Sequence, residues 1–415
     1  MKSKIAELKE IDSILNNGST PFESEVKTYS SNFLQDVRFL DHRKWLIKAA
    51  LRCGYITEIV APGGVGKSII QLGMALSVAT GENLVGLEVI EQANVLVINN
   101  EDDRDEGDRR IAGLCTYHSI DPARLEGKLF TYSGYGRPLK IATEDPDGNV
   151  VPSPDVEPLK EFITEQNIKA LFLDPRISTH NSNENDNNKL DKVANIYKAL
   201  ARETEVAINI AHHTRKSGSE NLGHGSELIA GDAEAGRGAS SFKDAARGIL
   251  TLARMSHKTA EHLGIDNSQQ GRYFRMDQGK QNQDVLDKSV IWYYMESVLI
   301  PNGESVGVPV RKNMAPLFEQ AAAKDRRVKW TPHLVAEALH KLMPESVDEM
   351  LWADLRERFC TENDISKSKA AERPKQLSWN KDDPTTIRID GDYYDFWYSK
   401  ASGRNGPITI HRRAR

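Results

Sequence analysis

Cysteine is scarce in this chain of 415 residues: Cys53, Cys115 and Cys360 are all it has. An odd number at such wide spacing excludes a disulfide framework and a zinc-finger spacing, and it points to a reducing compartment. Long apolar runs are missing too. No stretch of roughly 18 apolar residues occurs, and the opening Met-Lys-Ser-Lys-Ile-Ala-Glu-Leu-Lys-Glu is charged throughout. The expectation is a cytoplasmic protein that is neither exported nor membrane-spanning. No motif recurs at a fixed period of roughly 20 to 50 residues, which argues against a solenoid or propeller. Nor does charge of one sign dominate. The net charge is -5, with residues 324–415 holding 18 Lys and Arg against 15 Asp and Glu, hence +3 there and -8 elsewhere. A mildly basic tail on an acidic body is compatible with a nucleic-acid partner, but three charges do not decide it.

What the chain does have is a glycine-rich break at residues 55–68, Tyr-Ile-Thr-Glu-Ile-Val-Ala-Pro-Gly-Gly-Val-Gly-Lys-Ser. An apolar strand runs into a turn almost free of side chains, and a helix starts near Lys67. That order builds a phosphate cradle for ATP. Gly63, Gly64 and Gly66 have no side chain to block a phosphate, so backbone N–H groups from Gly63 through Val65 to Ile69 can turn inward around it. The helix adds its positive N-terminal end. Lys67 can reach the β- and γ-phosphates, and the Ser68 hydroxyl can take one position on Mg²⁺. The strict pattern G-x-x-x-x-G-K-[ST] has glycine where this chain has Ala61, a departure that a methyl at a strand end tolerates.

The length exceeds what one core usually holds, so a large domain and a smaller one are expected: an arm at 1–40, the cradle's domain at 41–323 and a C-terminal domain at 324–415. The arm is polar and broken at Asn17-Gly18-Ser19-Thr20-Pro21, and it can serve neighbouring subunits. Residues 45–53 have helical spacing. Apolar residues cover most of the helix after Lys67, which suits burial against a sheet. Strands are expected at 94–99, 128–133, 168–173, 206–211 and 249–254, with antiparallel additions near 273–276 and 290–295. Residues 145–158 read as an exposed loop, 181–188 as a run too polar to pack before a helix at 190–202, and 217–238 as a long functional loop. Strands alternating with helices predict an α/β fold with a mainly parallel sheet.

In such sheets ligands sit outside the carboxyl ends of the strands, and the charged candidates lie there. Asp174 ends the strand Ala-Leu-Phe-Leu-Asp and suits a Mg²⁺-side ligand acting through water, with a helix N-cap as the alternative. Glu101, at the end of Val-Leu-Val-Ile-Asn-Asn, can orient or deprotonate an attacking water, and Asp102 is the runner-up. His212 and His213 end the next strand on opposite faces, so at most one faces the nucleotide. Arg237, in Gly-Arg-Gly-Ala-Ser-Ser at 236–241, can neutralise transition-state charge from a neighbouring subunit, or is a surface arginine.

In this order, residues 61–68, Asn100-Glu101-Asp102, Leu-Phe-Leu-Asp-Pro-Arg at 171–176, Ala-His-His-Thr-Arg-Lys at 211–216 and the Arg237 motif resemble the RecA-like ATPases of the plasmid RepA hexameric helicase type. The resemblance spans residues 40–300. It implies that Lys67 and Ser68 bind phosphate and Mg²⁺, that Glu101 is the catalytic carboxylate and Asp174 the Walker B acid, that His213 senses the γ-phosphate and that Arg237 is an arginine finger. It also implies a homo-oligomeric ring, usually of six subunits, around single-stranded DNA. The run after Asp174 and the loop with Glu220, Glu227, Asp232 and Glu234 are not the basic loops a DNA channel needs, and only Arg215 and Lys216 add positive charge nearby. A recombinase-like filament and a nucleotide-switched regulator with a protein partner stay open.

At the C-terminal end, residues 331–342, 347–360 and 364–373 read as helices, followed by a hairpin turning at Asp390-Gly391. This resembles a winged helix-turn-helix, with Lys367, Lys369, Arg373, Arg412, Arg413 and Arg415 touching duplex DNA phosphates. A docking domain for subunits or a partner is the alternative. Trp352, Trp379, Trp397, Tyr393 and Tyr394 fit core and contact roles equally.

Overall fold

Alternation within apolar strands explains how the main sheet is covered. The structure is a computed structural model and describes residues 29, 31–184, 186–214, 230–231, 240–286, 289–326, 330–363, 365–402 and 406–415. The chain divides into two compact units, Met1–Glu261 with Ile265–Asn313, and His262–Gly264 with Met314–Arg415. In the first unit β1 (Trp45–Ile47) and β2 (Leu51–Arg52) form a small antiparallel pair. β3 (Ile56–Ala61) then leads into α1 (Lys67–Thr80), and β4 (Asn94–Asn99) into α2 (Arg104–His118). After β5 (Leu129–Ser133) come a hairpin of β6 (Ala142–Glu144) and β7 (Val150–Pro152), α3 (Val156–Glu165), β8 (Ile168–Asp174), α4 (Asn187–Thr204) and β9 (Ala207–His213). α5 (Ser240–Ala245) and β10 (Gly248–Arg254) precede β11 (Tyr273–Gln281), β12 (Ile291–Leu299) and β13 (Ser305–Lys312).

Nine strands share one sheet in the order β13-β12-β11-β10-β3-β9-β8-β4-β5. From β10 to β5 every pairing is parallel, while β11, β12 and β13 add on antiparallel at one edge. Val95, Val97, Ala170 and Phe172 face one way and pack with Ile70, Met74 and Val78 of α1. Their neighbours Leu96, Ile98, Leu171 and Leu173 face the other way, onto Leu190, Val193 and Tyr197 of α4. Helices therefore cover both faces, which is why these strands are apolar without interruption. Every residue of α1 except Ser68 is buried, and each large apolar side chain so buried contributes about 1.5–3 kcal/mol. No helix among the described residues is long and apolar enough to cross a membrane.

Three local expectations need correction. Residues 45–53 are strands, not a helix: Trp45, Leu46 and Ile47 are all buried, Ala49 has φ 55°, and the chain reverses with the Ala50 N–H on the Ile47 carbonyl. Residues 145–158 are not a loose loop. Asp145 Oδ1 accepts the N–H groups of Asp147 and Asn149, closing the β6–β7 hairpin, and α3 begins at Val156. The polar run at 181–188 ends in a cap, because Asp186 Oδ1 accepts from Asn188 and Lys189 and starts α4 at Asn187. In the arm, the described part holds a short α-helix, Phe33–Asp36, followed by a 3-10 turn, Val37–Phe39, with Leu34, Phe39 and Leu40 exposed.

The second unit contains α6 (Pro332–Leu342), β14 (Glu349–Leu351), α7 (Trp352–Glu362), α8 (Lys367–Ala370), β15 (Thr385–Ile389), β16 (Asp392–Lys400) and β17 (Ile408–Ala414). The Asp390-Gly391 turn joins β15 to β16 as expected. The helix expected at 364–373 is a single turn, halted before Pro374, which cannot continue it. The helix expected from 347 begins at Trp352, because Glu349–Leu351 form β14 against β17. β17 also gives the tail arginines partners within the unit. Arg412 is 5 % exposed and donates to the carbonyls of Met343, Pro344, Glu345 and Val347, while Arg413 and Arg415 bond Asp395. Trp352 and Trp397 are core, whereas Trp379 and Tyr393 are exposed.

Candidate functional site

The glycines of the loop after β3 have the backbone the cradle requires. Gly64 and Gly66 sit at φ +70° and +116°, and a Cβ on Gly66 would stand 3.3 Å from Met295 Cε. Gly66 is also the N-cap of α1 and offers no side chain to the first N–H groups. Contrast α2, where the Asp103 side chain takes the Glu106 N–H. Val65 and Ile69 bury their side chains, so only their backbone can face the cradle. Gly63 has open space where a Cβ would be.

Lys67 Nζ is held by the loop itself. It donates to the carbonyls of Ala61 (3.3 Å) and Pro62 (3.1 Å) and lies 3.2 Å from His213 Nδ1. Burial lowers its pKa, while Asp174 and Glu101 pull it back up. Strand alternation in β9 separates the two histidines: His213 reaches Lys67, and His212 Nε2 lies 2.9 Å from Arg176 Nη2 on the other face. A guanidinium only donates, so that nitrogen of His212 accepts.

Asp174 is 4 % exposed, and its Oδ2 has no hydrogen-bond partner. Burial raises its pKa; the Ser68 hydroxyl bonded to it and the Lys67 charge oppose the rise without cancelling it. At the end of β4, the Asn100 N–H donates to the Asp174 carbonyl at 2.8 Å, which brings the Glu101 turn beside Asp174. Asn99 Oδ1 accepts from the N–H groups of Glu101 and Asp102. The two acids then differ. Asp102 Oδ2 is taken by Arg110 (2.6 Å) and Asn99 (2.8 Å), whereas Glu101 is exposed and lines the cleft. Burial raises the Glu101 pKa, helped by Asp174 and Asp102 and opposed by Lys67.

Lys67, Ser68, Glu101, Asp174, His213 and Arg109 thus open on one cleft of about 530 Å³. A second cleft of about 420 Å³ lies past Gly64, with Arg254, Arg272, Phe274 and Met295 on its walls. Both volumes suit a small ligand. The residues fit Mg²⁺ and a triphosphate: a buried carboxylate oxygen lacks a partner, a hydroxyl sits beside it, and a lysine borrows backbone carbonyls. Among the described residues no three His, Cys, Asp or Glu side chains cluster as a metal cage. Mg²⁺ would be held by Ser68 directly and Asp174 through water, with phosphate oxygens completing its shell.

The family model described as an AAA domain matches residues 21–219. Match and cradle together support a P-loop ATPase domain of the AAA type within residues 21–219. Nucleotide hydrolysis is the activity such a domain suggests. The match ends before α5 and the strands β10 to β13, which join the matched strands in one sheet. Arg237 and nearly all of the 217–238 loop lie outside the described residues.

Some residues around the site were not singled out from sequence. Arg254 donates to the Gly64 carbonyl, Arg110 fixes Asp102, and Gln71 of α1 donates to Asn209 Oδ1 (2.8 Å) on β9. Arg176 Nη1 donates to Glu58 Oε1 at 3.2 Å, both side chains being almost wholly buried. An acid inside the apolar strand Ile-Thr-Glu-Ile-Val-Ala was the available signal, because an unpaired carboxylate there would be very unfavourable. Removing one partner of such a pair costs about 3–5 kcal/mol, yet replacing both by apolar groups is often neutral.

Proposed function

We propose that the protein is an ATP-hydrolysing, ring-forming motor on single-stranded DNA, acting in plasmid or phage replication. The observation that carries its chemistry is the contrast of two neighbouring acids: Asp102 is bound by Arg110 and Asn99, and Glu101 faces the cleft of Lys67 and Asp174. Glu101 takes the proton of the attacking water, its raised pKa favouring base strength. Lys67 leaves the Ala61 and Pro62 carbonyls for the β- and γ-phosphates, and His213 beside it reads whether the γ-phosphate is present. Bound Mg²⁺ supplies charge neutralisation at the phosphate oxygens. Arg237 completes the site from the next subunit.

The ring and the DNA rest on the resemblance and on the Arg237 motif. The C-terminal unit, read as winged-helix-like, is the duplex-DNA module, with Lys367, Lys369, Arg373 and the half-exposed Arg413 and Arg415 as phosphate ligands. A second reading has its own support: Arg412, Arg413 and Arg415 are engaged internally, which favours a docking domain and a nucleotide-switched regulator with a protein partner. Mixing Arg237→Ala with Lys67→Ala subunits tests the ring. Interfaces joining an intact cradle to an intact finger should regain hydrolysis that neither variant has alone. No recovery despite demonstrated co-assembly would exclude a finger acting in trans. Strand displacement driven by ATP would then separate the motor from the regulator.

A further inference from the structure

Arg176 stands two residues past Asp174 at the end of β8, and its guanidinium meets side chains from the middle of β3 and the end of β9. Nη1 meets Glu58 of β3 at 3.2 Å, Nη2 meets His212 of β9 at 2.9 Å and Glu184 at 3.4 Å, and the group lies 4.6 Å from the centre of the Phe242 ring. Arg176 is 1 % exposed and Glu58 2 %. Neither Arg176 nor Glu58 lines the cleft of Lys67. Yet each strand they join carries one part of it. β3 feeds the glycine loop, β8 ends in Asp174, and His212 is the chain neighbour of His213, which lies 3.2 Å from Lys67 Nζ.

An ion pair taken wholly out of water is a poor source of stability, since apolar groups of similar volume serve a core at least as well. A forked donor does something apolar groups cannot: it fixes distance and angle to two acceptors at once. We propose that Arg176 is a positioning residue for the phosphate site, holding β3 and the ends of β8 and β9 in one register so that Asp174 and His213 meet the γ-phosphate end of the nucleotide at the correct depth. This inference rests on the ATPase reading.

The test uses full-length protein and the double variant Glu58→Leu with Arg176→Met, which avoids leaving a lone buried carboxylate. It should melt close to wild type and bind a magnesium-ATP analogue with similar affinity, while kcat falls at least about 10-fold, as for reacting groups displaced by a fraction of an ångström. Arg176→Lys, with Glu58 intact, should give an intermediate kcat, because an ammonium keeps the charge and loses the fork. If the double variant fails to fold, Glu58→Gln and Arg176→Lys carry the test: kcat loss without a melting change supports positioning, and parallel loss of both overturns it. A folded double variant with kcat within about twofold of wild type would overturn the inference alone. Wild-type protein without turnover would overturn the ATPase reading and this inference with it.

Discussion

Two buried aspartates, one in each unit, are treated in opposite ways. Burial alone would raise the carboxyl of Asp395, but hydrogen bonds from Arg413, Arg415 and Thr386 outweigh it and hold its pKa below the usual range. At Asp174 burial wins over Ser68 and Lys67, and one oxygen is left without a partner. A carboxylate that the protein satisfies by itself fastens the fold, here the strands β15, β16 and the chain's end. One that the protein buries and leaves incomplete is built for something that arrives from outside. Arg412 and Lys67 repeat the lesson among cations. Four carbonyls surround Arg412, while Lys67 leans on two carbonyls of a loop that phosphate can replace.

The largest effect is expected at Lys67. Lys67→Ala should abolish ATP turnover while leaving the melting temperature close to wild type, because its charge is needed when phosphate is bound. Turnover near the wild-type rate would remove the cradle assignment. Arg412→Met should do the reverse, lowering stability of the C-terminal unit by about 3 kcal/mol by leaving buried carbonyls without a donor, with ATPase activity unchanged. Chemical denaturation monitored by tryptophan fluorescence would read it.

Smaller effects, of opposite sign, are expected at the two aspartates. The Asp174 pKa is raised in the fold, so its charge is a burden above that raised value and none below the ordinary carboxylate range. Asp174→Asn should therefore melt higher than wild type at pH 7, without nucleotide, and match it on acidification. Asp395 is depressed, so its stabilisation is present above the ordinary carboxylate range and lost as pH falls through the lowered value. Asp395→Asn should melt lower at pH 7. Shifts of the same sign in both variants would contradict the account.

The parts of the site that could be read from sequence are those written within a few neighbouring residues. Glycines before Lys67-Ser68 need no distant partner to be understood, and an acid ending an apolar strand marks Asp174 and the turn at Glu101. Strand alternation then let one histidine, not both, reach the cleft. Parts made by distant pairing were hidden. Glu58 and Arg176 are 118 positions apart, and neither announces the other. The internal partners of the tail arginines were hidden as well, because β17 acquires its meaning only between β14 and β16. Three adjacent apolar residues at 45–47 suit a helix or a strand, and the turn at Ala49 decided it. At 145–158, acids and prolines that suggested a loose segment are the turn chemistry of a hairpin.

The choice between Glu101 and Asp102 as the acid that activates water is the core of the account, and single-turnover hydrolysis of ATP by Glu101→Gln and Asp102→Asn tests it most directly. Glu101→Gln should bind magnesium-ATP as wild type does and hydrolyse it at least about 10²-fold more slowly, as for loss of a general base. The wild-type rate should rise with pH as the Glu101 carboxyl, raised by burial and by Asp174, gives up its proton, and Glu101→Gln should lose that rise. Asp102→Asn should retain most activity, since that side chain serves Arg110 and Asn99. Normal hydrolysis by Glu101→Gln together with an inactive Asp102→Asn would contradict the account.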